Sequence, residues 1–272
     1  MKCAATFAVR VMLLCVGVSF TSAQNTTASF LDRARTSTAK YQDQSVAILE
    51  GYRRIGRDFP AMGEHWIRLD LLFDGRIDAE HPEVLTYVPV EGGSKLTGVA
   101  YALPLLPGES PPDLPAPTDA WHDHFRTIED ETVLPLHHLH ATASSMPRMA
   151  MLHAWIWTRN PGGVFAADNW AIPYVRAGLM PLENAPRSAA AALSLLDGGV
   201  EYFTATVDAI ASPSAKKHVA INAAFARARS AVERDVRENR MAGLSDIWTQ
   251  LLQSLESVID PKHWMALRVA LP

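Results

Sequence analysis

Cysteine is almost missing from this chain. Of its 272 residues only Cys3 and Cys15 are cysteines, and both precede Ala23, after which we expect the chain to be cleaved. The mature protein would then have no disulfide and no thiolate to offer a metal. Any metal site must use nitrogen, oxygen or thioether donors, which excludes structural zinc of the thiolate kind.

The chain also lacks an apolar run long enough to span a membrane. The run at residues 11–20 is shorter than the roughly 20 residues that a transmembrane helix needs, and no second one follows. It comes after the cations Lys2 and Arg10 and before the small residues at 21–23, a pattern typical of a secretory signal peptide. We predict a periplasmic or secreted protein with no stable membrane insertion once residues 1–23 are removed.

Positive charge is not in excess. The chain has 25 Lys and Arg against 29 Asp and Glu, a net charge of -4 with histidine neutral, and signal removal would take away two further cations. This balance argues against nucleic acid as a partner. The sequence has no glycine-rich phosphate loop, dinucleotide fingerprint or G-x-S-x-G elbow, which disfavours nucleotide chemistry and serine-based hydrolysis.

What is present predicts an α+β fold: an N-terminal helix, a mostly antiparallel sheet or partial barrel, and a C-terminal helical bundle. Residues 28–56 have helical character, residues 85–90 and 96–103 form a predicted hairpin, and Met149–Thr158 has two apolar faces, as in a central strand. Alanine-rich helical stretches follow near residues 187–210, 213–240 and 244–259. The predicted organisation is a signal peptide at 1–23, an α+β metal-binding domain at 24–180 and a helical region at 187–272.

Three histidine-bearing segments, each next to tryptophan, predict a metal site built on strands. His122 and His124 are two residues apart in the segment WHDH, so on a strand both point to the same face. His153 in LHAWIW and His65 in GEHW come from other predicted strands and would complete the set. Neutral imidazole is the commonest protein metal ligand.

Carboxylates near these histidines are candidate oxygen ligands. Glu129 follows His124 at the distance found in cupin-like barrels, although the glycine-proline pattern of a cupin is missing and only the geometry carries over. Glu64 is the alternative oxygen ligand, and Asp123 and Asp168 are candidates for ligation or for orienting the imidazoles. Such a set suits a divalent transition metal: zinc, manganese, iron or copper.

The purpose of the metal stays open between three interpretations. A metal-dependent enzyme would activate water or dioxygen at an open coordination position and take a small-molecule substrate. A periplasmic copper carrier or buffer is the second, because Met62, Met146, Met149 and Met151 supply thioethers near His65 and His153, although methionine also packs cores. The third is a non-catalytic interaction protein whose histidines are structural.

The motifs GEHW, WHDH, LHAWIW and NPGGVFAADNW together resemble those of an uncharacterised family of bacterial exported proteins. The resemblance covers about residues 38–179. It implies one coherent domain over that range and adds no mechanism.

Overall fold

The computed structural model describes residues 19–124, 148–181 and 186–272, with side chains from residue 26 onward except those of Asp123 and His124. An N-terminal helical segment, an open antiparallel sheet and a C-terminal helical region follow one another along the chain, which confirms the predicted α+β fold.

The sheet has six strands in the order β1-β2-β3-β4-β6-β5, and every neighbouring pair is antiparallel. The strands are β1 (Arg53–Phe59), β2 (Gly63–Ile67), β3 (Val84–Val90), β4 (Gly93–Leu105), β5 (His122–His124) and β6 (Arg148–Ala154). Short hairpin loops join β1 to β2 and β3 to β4. A loop this short can connect two neighbouring strands only when they are antiparallel. The predicted hairpin is confirmed as β3 and β4.

Two predicted element boundaries need correction. The helical interpretation of residues 28–56 is wrong from Arg53 onward, where the chain enters β1, an edge strand with mostly exposed charged residues that give little period-two signal. The strand predicted to run to Thr158 ends at Ala154. Beyond it the backbone N–H of Trp155 donates to the carbonyl of Val164, and the N–H groups of Trp157 and Thr158 both donate to one carbonyl of β4.

The helices of the described residues are α1 (Ser19–Thr38), α2 (Gln44–Leu49), α3 (Leu69–Leu72), α4 (Ile172–Arg176), α5 (Arg187–Ser194), α6 (Gly199–Ala211), α7 (Ala215–Arg237), α8 (Leu244–Glu256) and α9 (Pro261–Ala270). The first predicted C-terminal helix is two helices, because Gly198 adopts a left-handed conformation with φ 75° between α5 and α6. Pro261 starts α9 as its first residue, where a missing N–H costs nothing. None of the helices described is long and apolar enough to cross a membrane.

The two faces of the sheet have different partners. The N-terminal helices cover one face, where Phe30 packs on Tyr101 with ring centroids 5.1 Å apart and the Tyr87 hydroxyl donates to the carbonyl of Tyr41 at 2.6 Å. The other face carries Val88 and meets Ile172 of α4 at one end. That second face also carries His65, His122 and His153.

The helical region has its own core, and its contacts with the sheet include Tyr202 of α6 against Phe59, with ring centroids 6.0 Å apart, and a buried cation. Phe203 of α6 packs against Trp248 of α8 with ring centroids 4.9 Å apart. Arg176, whose side chain is 4% exposed, pairs with Asp58 of β1 through both terminal nitrogens and with Asp197 at 2.9 Å. The guanidinium therefore bridges β1, α4 and the turn before α6.

Candidate metal centre

Three of the predicted histidines lie on the same face of the sheet. His65 is on β2, His153 on β6 and His122 on β5, and all three are buried, with exposures of 8%, 1% and 6%. His122 is paired directly with Met151, and Met151 shares a strand face with His153 because the two are two residues apart. Strand alternation and register therefore put the three imidazoles on one side.

Small residues on the central strands allow the histidines to meet. β3 and β4 separate β2 from β6, which would place these two strands about 14 Å apart in a flat sheet. Contact between His65 and His153 requires a face that is concave and that carries little bulk. Gly98 is part of that floor: a Cβ there would lie 2.9 Å from the carbonyl oxygen of Ala154 and 3.2 Å from the Trp155 ring.

The distance between the Nε2 atoms of His65 and His153 matches that between two ligands of a common ion. Nε2 of His65 lies 3.3 Å from Nε2 of His153, and the ring centroids are 5.4 Å apart. Two bonds of about 2.1 Å from a tetrahedral metal would place two ligating nitrogens about 3.4 Å apart. The centroid of His122 is 5.1 Å from that of His153, with an angle of 62° between the rings.

A backbone carbonyl fixes the tautomer of His153. Its Nδ1 lies 2.7 Å from the carbonyl oxygen of Ala167. Because a carbonyl only accepts, Nδ1 carries the proton, and in the neutral ring Nε2 presents its lone pair to His65. With both rings neutral, the 3.3 Å contact is a hydrogen bond in which His65 Nε2–H donates to His153 Nε2.

The segment that supplies this carbonyl is held in place by its own hydrogen bonds. Asn160 donates through Nδ2 to the carbonyl of Asp168 at 2.8 Å and accepts from the N–H of Gly162 at 2.9 Å. The neighbouring carbonyl of Ala166 accepts from Nε1 of Trp155 at 2.7 Å. The sequence did not indicate that a backbone carbonyl positions His153, because a residue of any type can supply such an acceptor. The turn-forming asparagine and glycines were the available signal.

Aromatic side chains enclose the two central histidines. Phe59 meets His65 edge-on with centroids 6.0 Å apart, and Trp155 meets His153 edge-on at 5.4 Å. Phe59, Trp155 and the buried Met62 belong to one apolar cluster. The paired imidazoles therefore sit in a largely apolar setting, where electrostatic interactions with a bound cation are little screened by water.

The structure does not bring the described candidate carboxylates to the histidines. Glu64 neighbours His65 on β2 and so points to the opposite face, where its oxygens contact Nη1 of Arg54 at 2.8 Å and Nε1 of Trp66 at 3.1 Å. Asp168 contacts Nη2 of Arg187 at 3.3 Å. The backbone carbonyl of Asp168 accepts from Asn160 and so helps to hold the segment that positions His153.

Other predicted ligands fall where the structure gives no side-chain description. His124 is in β5, opposite Met149, but its side chain and that of Asp123 are outside the described set. Glu129 lies outside the described residues, as does Met146. Within the part of the chain that is described, no group of three or more His, Cys, Asp or Glu side chains is already arranged to hold a metal ion.

Comparisons of the chain with protein-family models, with curated proteins and with solved structures find no match.

Proposed function

We propose that the protein binds one transition metal ion between His65 and His153, with His122 as a third ligand. The observation that carries the proposal is the 3.3 Å separation of the two Nε2 atoms, together with the carbonyl that holds the proton of His153 on Nδ1. Outer hydrogen bonds of this kind orient metal-binding histidines and fix their tautomer.

Binding requires two local changes. His65 must carry its proton on Nδ1 so that its Nε2 can ligate, which is a tautomer shift within one ring. His122 must turn about its side-chain torsions from the present ring orientation, because the described residues contain a close pair rather than a finished three-ligand group. Both changes are small, since all three rings are already on the same concave face.

We also propose that this binding takes place outside the cytoplasm. The support is the N-terminal pattern of cations, apolar run and small residues ending at Ala23. N-terminal sequencing of protein recovered from the periplasm or medium of expressing cells tests it, and a chain retained in the cytoplasm with residue 1 intact would contradict it.

Metal analysis tests the proposed site. The protein is purified without a polyhistidine tag or chelator, reconstituted with Mn, Fe, Cu and Zn in turn, and assayed by elemental mass spectrometry after desalting. We compare wild type with His65→Gln and His153→Gln, whose amide side chains approximate the shape of the imidazole. His81→Ala is the matched control, because His81 is exposed and pairs with Asp78.

We expect near-stoichiometric metal in wild type and in His81→Ala. Both glutamine variants should lose the metal while their circular dichroism stays unchanged. If no metal binds to wild type, or if it is retained by folded His65→Gln and His153→Gln, the proposal is wrong. The buried histidines would then be structural.

A further inference from the structure

A cleft of about 380 Å³ lies beside the segment that positions His153, and its walls include Trp170 and Arg187. We call it the Arg187 cleft. We propose that it binds a small organic acid, whose carboxylate contacts the guanidinium of Arg187 and whose apolar part packs against the uncharged walls. A cleft of this volume is within the range of small-molecule sites.

The guanidinium of Arg187 is held in place while most of its donors stay unbonded. Its central carbon lies 4.9 Å from the centroid of the Trp170 ring, and Nη2 donates to Oδ2 of Asp168 at 3.3 Å. Arg187 makes no other side-chain hydrogen bond within the described residues, and its side chain is 52% exposed. A guanidinium has five N–H donors in a planar fork that fits a carboxylate through two parallel hydrogen bonds. Because stacking already restricts this side chain, little further entropy is lost when a ligand binds.

The backbone beneath Trp170 is fixed by its neighbour Asn169, which is fully buried. The N–H of Asn169 donates to the carbonyl of Ala61 at 2.8 Å, and its Oδ1 accepts from the N–H of Ala171 at 3.0 Å. Arg187 is the first residue of α5. Both side chains therefore stand on ordered backbone, as a preorganised binding site requires.

Trp170 carries a donor that the fold does not use. Its Nε1 is shielded from solvent and has no hydrogen-bond partner within the described residues. Most buried polar groups in proteins are hydrogen-bonded, so an exception indicates a group kept for another purpose, such as binding. An unbonded indole N–H beside an incompletely bonded guanidinium favours a ligand that accepts hydrogen bonds and carries negative charge.

Asp168 limits how much negative charge the ligand can carry. Its carboxylate adjoins Arg187 and offsets part of the positive charge there. A carboxylate ligand adds one negative charge, whereas a phosphate monoester adds nearly two and is repelled more strongly by Asp168. The other walls of the cleft are uncharged: Asn160, Pro161, Gly162, Ala166 and Ala167. A monoanionic organic acid therefore fits the cleft better than a phosphate.

Ligand-observed NMR titrations of the purified, untagged, metal-free protein test the proposal. The probe is benzoate. Benzamide is its uncharged analogue of nearly the same shape, and phenyl phosphate is the corresponding dianion. Wild type is compared with Arg187→Gln and with Arg187→Lys, which keeps the positive charge but lacks the planar fork. Arg227→Gln is the matched control, because Arg227 is exposed on α7 and does not line the cleft.

We expect benzoate to bind wild type and Arg227→Gln with the same dissociation constant. Arg187→Gln should bind it at least about tenfold more weakly, which is the loss expected when hydrogen bonds to a charged group are removed. Arg187→Lys should have an intermediate affinity. Benzamide and phenyl phosphate should both bind wild type more weakly than benzoate.

Four results would overturn the proposal. They are no benzoate binding by wild type, undiminished binding by Arg187→Gln with unchanged circular dichroism, benzamide binding as tight as that of benzoate, and phenyl phosphate binding as tight or tighter. If Arg187→Gln does not fold, Arg187→Lys decides, and wild-type affinity in that variant would also overturn the proposal. The titrations use protein without metal, so their outcome is independent of the proposed histidine site.

Discussion

Replacing Glu83 with glutamine should remove a large part of the pH dependence of folding stability. Glu83 immediately precedes β3 and is 1% exposed, and its Oε2 accepts the backbone N–H of Ala102 at 3.0 Å. Burial raises the pKa of this carboxyl from its ordinary value of 4.5 to about 8, although the hydrogen bond from Ala102 acts in the opposite direction. The side chain is therefore protonated at neutral pH in the folded protein.

The sign of the effect follows from comparing the two states. Between pH 4.5 and about 8 the carboxyl is ionised in the unfolded chain and protonated in the folded protein. The unfolded state then binds fewer protons, so the free energy of unfolding decreases as pH rises through this window and becomes level above it. The stability associated with the protonated carboxyl is fully present below pH 4.5 and is lost as pH passes the folded-state pKa.

The magnitude comes from the same two pKa values. The difference between the folded-state and ordinary pKa corresponds to a change of at most about 5 kcal/mol in the free energy of unfolding. Inside the window this free energy changes by up to about 1.4 kcal/mol for each pH unit. Glutamine has the shape of the protonated acid and can still accept from Ala102, but it does not titrate. The free energy of unfolding of Glu83→Gln, minus that of wild type, should rise by several kcal/mol between pH 5 and pH 8.5.

Urea unfolding followed by tryptophan fluorescence, at intervals from pH 4.5 to pH 9, measures this difference. All other titrating groups are the same in both proteins, so their contributions to the pH dependence cancel in the difference. Glu91→Gln is the matched control, because Glu91 is exposed in the β3–β4 turn, and its difference from wild type should stay constant. A constant difference for Glu83→Gln as well would refute the argument, since it would mean that the carboxyl ionises in the folded protein as it does in water.

Three further outcomes are expected. Gly63→Ala should destabilise the protein by more than about 2 kcal/mol in urea unfolding, because Gly63 has φ 82° and an added Cβ would lie 2.3 Å from the carbonyl oxygen of Tyr87; an unchanged midpoint would contradict this. Arg176→Ala should cost about 1.5–3 kcal/mol, because it removes the charged hydrogen bonds to Asp58 and Asp197, whose side chains are 24% and 57% exposed and so stay partly solvated; a change below about 1 kcal/mol would contradict this. Metal at about 100 times its dissociation constant should stabilise wild type by about 2.7 kcal/mol in thermal unfolding, and no shift in melting temperature would argue against binding to the folded state.

Much of the histidine arrangement could be predicted from the sequence. The alternation of side chains along a strand is a local property, so His153 and Met151 had to share a face once β6 was accepted as a strand. Because neighbouring residues of a strand point to opposite faces, Glu64 cannot share a face with His65. The strand assignment by itself therefore argues against Glu64 as a ligand. β1 was harder to predict, because a charged edge strand lacks the apolar alternation that identifies a half-buried one.

The sequence by itself determined which segments carry imidazoles, that both cysteines lie within residues 1–15, and that β3 and β4 form a hairpin. Only the tertiary structure decided that His65 and His153 meet across two intervening strands. That contact depends on the curvature of the sheet and on small residues such as Gly98, which are cooperative properties of six paired strands. The orientation of His153 likewise depends on the carbonyl of Ala167, fourteen residues away, because a backbone acceptor has the same chemistry at every position and only folding selects which one is used.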